Sequence, residues 1–281
     1  MKQTLLLAVL LLSLACTHSP SSTTQGEIVQ ETPTPIEVKN IETDSLPYDV
    51  DYLTGHFDPA EHPDFVSVDQ KHADRAGLYL HQDTYTAFQQ MYEAALTDGI
   101  KLIIRSATRN FNSQKRIWEA KWRGERKLEG TESAPTAYPV PKDRALAILR
   151  YSSMPGTSRH HWGTDIDLNN FTNEYFQAGE GKKIYDWLLA NAASYGFCQP
   201  YTEKGDARPD GYNEERWHWS YLPISQALTQ MAQSGELQNH MINGFEGAET
   251  ASEIQVVEKY VLGINQACLL RGEERGAKGG Q

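Results

Sequence analysis

The pattern of apolar and polar residues after residue 80 predicts helices alternating with short strands. Apolar residues recur at helical spacing after Asp83, a typical N-cap, and Gly99 is placed to end this helix. Further helices are predicted over residues 113–126, 143–153, 181–195, 222–234 and 249–266, and strands over residues 101–106, 164–168 and 215–221. Three prolines predict a loop over residues 127–142. Because these elements lack a regular βαβ rhythm, they predict an α+β fold.

The first residues of the chain have the pattern of an export signal. An uninterrupted apolar run covers residues 5–12, and as a helix it is roughly 12 Å long, too short to cross a bilayer. We therefore interpret residues 1–15 as a signal peptide. The small residues before Cys16 resemble a bacterial lipoprotein box, which implies lipidation of Cys16; secretion without a lipid is the alternative. Both place the protein outside the cytoplasm, in the bacterial cell envelope.

Composition divides the rest of the chain into a tether, one domain and a tail. Residues 16–45 are rich in Ser, Thr, Pro, Gln and Glu and contain no aromatic residue, which predicts a disordered tether. The folded domain is expected over residues 46–270, followed by a disordered tail over residues 271–281. A membrane contact is expected only through lipid at the N-terminus.

Charge and cysteine content exclude several classes of protein. Lys and Arg total 26 against 37 Asp and Glu, and this net charge of −11 argues against a nucleic-acid-binding protein. Three cysteines are too few for a disulfide-stapled miniprotein or a Cys-rich zinc module. In an oxidising envelope Cys198 and Cys268 can form a disulfide, or both can remain free thiols.

Candidate chemistry is concentrated in residues 158–167 and 215–219. A catalytic zinc site needs three protein ligands, an open position for water and a free carboxylate that takes the proton from that water. The ligands can come from His160, Asp167 and His218, and the base can be Glu215. Each signal is weak by itself, because a lone histidine is more often structural than a ligand.

Together the two segments resemble a known family. The pattern Ser-x-His-x-x-Gly-x-x-x-Asp over residues 158–167, followed by Glu-x-x-His over residues 215–218, is similar to that of the VanY-type D-alanyl-D-alanine carboxypeptidases. The resemblance extends upstream to a Ser-x-x-Arg stretch over residues 106–109 that is followed by Gln114. These enzymes belong to the LAS group of zinc peptidases, which includes L,D-carboxypeptidases, dipeptidases and murein endopeptidases. The resemblance covers roughly residues 52–221.

The resemblance implies a LAS/hedgehog-like fold and a role for each matching residue. The fold is a small mixed or antiparallel sheet with flanking helices around one Zn²⁺ ion. The implied zinc ligands are His160, Asp167 and His218, the implied general base is Glu215, and the implied substrate-binding residues are Arg109, Ser158 and Gln114. The implied contact of Arg109 is with the substrate carbonyl or carboxylate, which also gives this residue a part in catalysis.

Two features of the motifs need a structural explanation. The family usually has a small residue such as Ala where this chain has Asp165, which lies on the same strand face as Asp167. Asp165 can compete as a ligand, support the ligands or be solvated, and the motif favours Asp167. Arg159 is interpreted as a variable position of the motif without a role. Glu215 and His218 are three residues apart and would face opposite sides of a regular strand, so a bulge, a twist or a strand end is expected between them.

These observations predict a monomeric, zinc-dependent D-alanyl-D-alanine carboxypeptidase that trims peptidoglycan stem peptides. An L,D-carboxypeptidase or a murein endopeptidase that uses the same residues is an alternative. A non-catalytic peptidoglycan-binding module is a further alternative from a different class. The presence of all four metal-site residues favours an enzyme, since a degenerate module is expected to lose at least one of them.

Overall fold

The computed structural model describes residues 48–269 as helices packed around two small sheets. The helices are α1 (Val50–Thr54), α2 (Gln82–Thr97), α3 (Phe111–Trp122), α4 (Ala134–Ala137), α5 (Pro141–Ile148), α6 (Gly179–Asn191), α7 (Leu222–Gln233) and α8 (Ala251–Ile254). The strands are β1 (Phe65–Ser67), β2 (Tyr79–His81), β3 (Ile104–Ser106), β4 (Asp165–Leu168), β5 (Phe197–Cys198) and β6 (His218–Tyr221). Shorter 3₁₀ turns connect them, including one over Arg159–Trp162.

The larger sheet has the strand order β3-β4-β6-β5, and each neighbouring pair is antiparallel. The smaller sheet is the antiparallel pair of β1 and β2. In the larger sheet the register of β4 and β6 places Asp167 opposite His218 and Asp165 opposite Ser220. The predicted α+β fold, with a small antiparallel sheet and flanking helices, is confirmed.

Strands β4 and β6 lie at the centre of the larger sheet and are buried along their whole length. Ile166 and Leu168 of β4 belong to the hydrophobic core, together with Ile104 of β3. The alternating positions of β4 are occupied by Asp165 and Asp167, which are buried as well. A buried carboxylate is unfavourable unless hydrogen bonds or opposite charges compensate it. The centre of this sheet therefore requires polar partners for both aspartates.

Several predicted helices are present with shifted ends. Helix α2 begins one residue before Asp83, and its N-cap is His81, whose Nδ1 accepts a hydrogen bond from the Asp83 N–H. Helix α6 continues as a 3₁₀ turn to Tyr195 and ends at Gly196, which has a left-handed backbone (φ 80°). Helices α3, α5 and α7 also correspond to predicted helices.

The predictions for two segments were wrong. The expected loop over residues 127–142 contains α4 and the first residues of α5. Two of its three prolines, Pro135 and Pro141, lie in the first turns of these helices, where a backbone N–H has no partner within the helix and its absence costs nothing. The expected helix over residues 249–266 is broken by Gln255, which has a left-handed backbone (φ 59°) and ends α8. A π-helical turn over Val257–Val261 follows.

The other predictions for the ends of the chain concern residues 1–47 and 270–281, which lie outside the described residues. The expected signal peptide, the tether, the lipidation of Cys16 and the tail therefore remain predictions from the sequence. Within residues 48–269, no helix combines the length and the apolar character needed to span a membrane.

A disulfide joins Cys198 of β5 to Cys268 near the end of the described chain. The two Cα atoms are 5.7 Å apart, and 70 residues separate the cysteines in the sequence. Of the two states that the sequence left open, the structure has the bonded one. The bond attaches the C-terminal segment to the edge strand of the larger sheet.

Replacing both cysteines, as Cys198→Ala/Cys268→Ala, should lower the free energy of unfolding by about 2–4 kcal/mol, because the cross-link restricts the unfolded chain. Chemical denaturation of the variant and the wild type, each with and without a reductant, measures this difference. The reductant should destabilise only the wild type. Equal stability of the variant and the oxidised wild type would contradict the assignment.

Candidate active site

All seven residues predicted for the site line one cleft of about 990 Å³. These residues are Arg109, Gln114, Ser158, His160, Asp167, Glu215 and His218. They come from three parts of the chain: the segment after β3 with the first turns of α3, the 3₁₀ turn with strand β4, and the turn before β6 with the first residue of that strand. The antiparallel pairing of β3, β4 and β6 brings these parts together.

The three predicted metal ligands form a buried cluster at the base of the cleft. Asp167 lies between the two imidazoles, with Oδ2 3.3 Å from His160 Nε2 and Oδ1 3.1 Å from His218 Nδ1. One donor atom from each residue lies within 4.8 Å of the other two. This separation allows the three side chains to share one ion.

The donor atoms and their partners fit a divalent metal such as zinc. Asp167 Oδ1 is buried and accepts no hydrogen bond within the described residues, so it is available to a cation. His160 Nδ1 pairs with the Ala107 carbonyl oxygen at 2.9 Å, and His218 Nε2 pairs with Asp165 Oδ2 at 2.7 Å. Each imidazole therefore keeps its other nitrogen for a ligand bond, as metal-binding histidines commonly do. Two imidazoles and a carboxylate are a typical donor set of catalytic zinc sites.

The electrostatics of the cluster favour a positive charge between these residues. Burial opposes a charge on His218, but its contacts with Asp165 and Asp167 outweigh burial and raise the pKa of His218 to about 9. Burial and the neighbouring Arg109 lower the pKa of His160. Although burial favours its neutral form, the pKa of Asp167 lies far below its ordinary value because of the two histidines. An ionised Asp167 is the form that binds a metal.

Asp165 contacts the opposite nitrogen of His218 and does not belong to the ligand cluster. Its other partners include Arg159, which the sequence analysis left without a role. Arg159 is 1% exposed and donates from Nε to Asp165 Oδ2 at 3.2 Å. Arg159 therefore has a buried structural contact, which its interpretation as a variable position of the motif did not include. No local signal marks this pair, since the contact depends on the way the 3₁₀ turn packs on β4.

Glu215 precedes β6 in a turn, so of the expected bulge, twist or strand end between Glu215 and His218 the structure has the strand end. The His218 N–H donates to the Glu215 carbonyl at 3.2 Å, and β6 begins at His218. The turn directs the Glu215 carboxylate toward the cluster, with Oε2 3.5 Å from His218 Nδ1. Burial raises the pKa of Glu215 to about 8, and His218 acts in the opposite direction. A cation between the ligands would also lower this pKa. A buried carboxylate with a raised pKa is suited to accept and release a proton.

Arg109 borders the cluster and is held by two side chains. Its Nε donates to Gln114 Oε1 at 3.0 Å and its Nη1 to Ser106 Oγ at 2.7 Å, while Nη1 lies 3.7 Å from Asp167 Oδ2. Nη2 forms no hydrogen bond within residues 48–269 and is free for a ligand in the cleft. The Gln114 amide also donates to the Ser153 carbonyl. These contacts show that Gln114 orients Arg109; its direct contact with substrate stays a prediction.

Ser158 and Thr108 place unpaired hydroxyl groups at the cleft. Both Oγ atoms are buried and lack a hydrogen-bond partner among the described residues. Unpaired buried hydroxyls are unfavourable, and a ligand that supplies the missing hydrogen bonds removes this cost. The position of Ser158 is compatible with its predicted part in substrate binding.

The sequence analysis missed two further residues at the cleft. The Tyr201 ring is buried 4.7 Å from the His218 ring, and its backbone carbonyl accepts a hydrogen bond from the Glu215 N–H. Lys121 of α3 donates to Ser152 Oγ and makes no ion pair within the described chain. Burial, reinforced by Arg126, lowers the pKa of Lys121 to about 8. Neither residue belongs to a motif, so only the fold reveals them.

Comparison with known families shows to which family the chain belongs. The sequence model of the VanY family, described as D-alanyl-D-alanine carboxypeptidase, matches residues 77–224, which is more than half of the chain. The matched region contains every residue of the candidate site. The chain therefore belongs to the VanY family.

A D-alanyl-D-alanine carboxypeptidase of Enterococcus faecalis is 30% identical over 139 residues, which cover 50% of this chain and 47% of that protein. The chain thus matches about half the length of this curated relative. VanYB in complex with D-Ala-D-Ala is 25% identical, with a TM-score of 0.44 over 63% of this chain and 87% of that one. A VanY D,D-pentapeptidase variant in complex with Zn(II) is also 25% identical, with a TM-score of 0.42 over 59% and 87%. Because both TM-scores lie below 0.5, the family assignment depends on the sequence match.

Zinc should bind the wild type and be lost on replacement of either histidine of the cluster. His160→Ala and His218→Ala should each weaken zinc binding by more than about 100-fold, because each removes a ligand and not merely a supporting contact. Competition with a zinc chelator measures the affinity. His240→Ala, which changes an exposed histidine outside this cleft, is the matched control and should bind zinc as the wild type does. Unchanged binding by both cluster variants would contradict the ligand set.

Proposed function

We propose that the chain is a zinc-dependent D-alanyl-D-alanine carboxypeptidase that removes the C-terminal D-alanine from peptidoglycan stem peptides. The observation that carries this proposal is the meeting of His160, Asp167 and His218 in one buried cluster with Glu215 beside it. A single Zn²⁺ ion held by the three ligands would supply Lewis acidity, which polarises the scissile carbonyl and makes water more acidic. Membership of the VanY family supports the choice of substrate.

Glu215 would act as the general base and then as the general acid. Its carboxylate accepts one proton from the attacking water, whose oxygen forms a bond to the carbonyl carbon of the peptide. It then gives this proton to the amine nitrogen as the carbon–nitrogen bond breaks. The products are a shortened peptide with a new carboxyl group, which keeps the hydroxyl of the water, and free D-alanine, so the atoms balance. The buried position of Glu215 and its raised pKa support both proton transfers.

Arg109 would stabilise negative charge on the substrate. Its Nη2 is free, and hydrogen bonds to Gln114 and Ser106 hold the rest of the guanidinium in place. A fixed donor directed at developing charge costs no rearrangement during the reaction. The planar guanidinium also suits a terminal carboxylate better than an ammonium does.

The charge of the cleft wall supports removal of a terminal residue. Arg109, Lys121 and Arg126 all line the cleft, although the whole chain has a net charge of −11. A substrate that ends in a free carboxylate would provide a counter-charge for this wall. Internal peptide bonds offer no such charge at the cut, and this difference favours a carboxypeptidase over an endopeptidase.

We also propose that the protein acts in the cell envelope as a monomer, attached through lipid on Cys16. The sequence of residues 1–16 is the basis for the location and the lipid, and the VanY family membership agrees with a wall substrate. The disulfide between Cys198 and Cys268 supports an oxidising compartment, where such bonds persist.

Replacing the general base should abolish hydrolysis without removing zinc. Glu215→Gln keeps the size of the side chain but cannot accept the proton, so kcat should fall by about 10²–10⁴-fold or more while zinc affinity stays within a few-fold. Mass spectrometry of purified pentapeptide and tetrapeptide muropeptides after incubation, with and without a chelator, measures the activity. The wild type should shorten the pentapeptide by one alanine only when the metal is present.

Three results would contradict this proposal. Turnover by Glu215→Gln at the wild-type rate would exclude the proposed base. Shortening of the tetrapeptide alone would indicate an L,D-carboxypeptidase, and absence of cleavage by the zinc-loaded wild type would favour a binding module.

Arg109→Lys should lower kcat/KM on the pentapeptide by about 10²–10³-fold, because the ammonium group cannot reproduce the fixed, forked donors. Steady-state kinetics of the zinc-loaded variant measures the loss. Arg116→Lys is the matched control and should keep wild-type kinetics. It changes an exposed arginine of α3 that does not line the cleft and whose Nη2 donates to Ser113 Oγ. Wild-type kinetics for Arg109→Lys would remove Arg109 from the reaction.

A further inference from the structure

Asp165 departs from the VanY-type pattern, which has a small residue at this position. Its side chain is completely buried, at 0% exposure. A buried carboxylate without partners is costly enough that proteins rarely retain one. The partners of Asp165 therefore show what this residue does in the chain.

Four donors surround the Asp165 carboxylate. Oδ1 accepts from the hydroxyl groups of Thr164 and Ser220, each at 2.7 Å. Oδ2 accepts from Arg159 Nε at 3.2 Å and faces His218 Nε2 at 2.7 Å. A carboxylate has about four acceptor positions, so these contacts use all of them. No position remains for a metal, and Asp165 is therefore not a competing ligand.

The contact with His218 determines which ring nitrogen can bind a metal. A neutral imidazole has one nitrogen that donates and one that accepts. When Nε2 donates to Asp165, the lone pair lies on Nδ1, the nitrogen that faces Asp167 and Glu215. The same contact also fixes the rotation of the ring.

Arg159 holds the Asp165 carboxylate in this place. Besides its bond to Asp165, it donates from Nη1 to Thr229 Oγ1 at 2.9 Å and from Nη2 to Ser220 Oγ at 2.8 Å. Its guanidinium lies 4.5 Å from the ring centroid of Trp162. All three guanidinium nitrogens are thus engaged, and Thr229 connects the pair to helix α7.

We propose that Asp165, held by Arg159, is a positioning residue that orients the His218 imidazole for metal binding. This inference rests on the proposed metal site but extends it to a pair of residues outside the cluster of His160, Asp167 and His218. The simpler possibility is that Asp165 only neutralises the buried charge of Arg159. The positioning role and the neutralising role predict different zinc affinities for a variant in which both Asp165 and Arg159 are replaced.

Zinc affinity and stability should respond differently to the single and the double replacement. Asp165→Ala leaves Arg159 buried without a counter-charge, so both the melting temperature of the metal-free protein and the zinc affinity should fall. Arg159→Met/Asp165→Ala removes the unpaired charge and should recover most of the melting temperature. Its zinc affinity should nevertheless stay about 10–100-fold below that of the wild type, because His218 still lacks its partner.

Chelator competition and thermal unfolding of each metal-free protein measure the two quantities. Tyr85→Phe is the control, since it removes a buried hydroxyl that contacts His72 and the Asp69 backbone, outside the cleft. This variant should lose stability and keep wild-type zinc affinity. Asp165→Asn tests the same idea without a change of volume: it retains an acceptor oxygen and should bind zinc more tightly than Asp165→Ala.

Wild-type zinc affinity in the double variant would overturn the inference and leave charge neutralisation as the role of Asp165. Equal zinc affinity of Asp165→Asn and Asp165→Ala would overturn it as well. These outcomes are distinct from failure of the proposed function, in which the wild type itself would bind no zinc or cleave no muropeptide.

Discussion

Compensation of buried charge is the constraint on which the rest of the structure depends. Two carboxylates of one strand, Asp165 and Asp167, are removed from water at the centre of the sheet. Their charges are balanced by Arg159 on one side and Arg109 on the other, with His218 between the two aspartates. Each of these groups would be costly if buried alone. Together they form a network in which the position of each charge determines the positions of its neighbours.

The backbone around this network positions its side chains. The register of β4 and β6 sets Asp167 opposite His218, and the turn before β6 brings Glu215 to the same side. Gly163 allows the chain to pass from the 3₁₀ turn into β4: it has a left-handed backbone (φ 71°), and a Cβ there would lie 2.5 Å from the Phe65 ring. Packing therefore requires the glycine of the motif at position 163. The histidine and aspartate on either side of it, His160 and Asp167, belong to the candidate ligand cluster.

The sequence was sufficient to predict those parts of the site in which the chemistry allows few residue types at a fixed spacing. The cluster of His160, Asp167 and His218 was implied by the resemblance to the VanY-type motifs, and the break after Glu215 followed from the geometry of a strand. Contacts that depend on tertiary packing could not be predicted. The partner of Arg159 on α7, Thr229, is 70 residues further along the chain, and nothing in the local pattern connects them. Lys121 and Tyr201 reach the cleft in the same way, through packing of distant segments.

The errors in the predicted elements have a similar cause. Proline was taken as a sign of a loop, but in α4 and α5 it occupies first-turn positions, where it is compatible with a helix. The apolar spacing over residues 249–266 was correct as a sign of burial. The helix is interrupted because Gln255 has a left-handed backbone, and the spacing of apolar residues carries no information on that conformation.

Asp165 and Asp167 show how identical side chains two residues apart acquire different functions. Asp167 keeps one oxygen without a hydrogen bond and can therefore serve a cation, whereas every acceptor position of Asp165 is occupied. The difference arises from their neighbours, since both residues lie on the same strand and both are buried. Arg159 supplies a buried positive charge beside Asp165 and so contributes to the compensation of this carboxylate. Asp165, which departs from the motif, and Arg159, which occupies a variable position of it, therefore compensate each other's charge beside the candidate metal site.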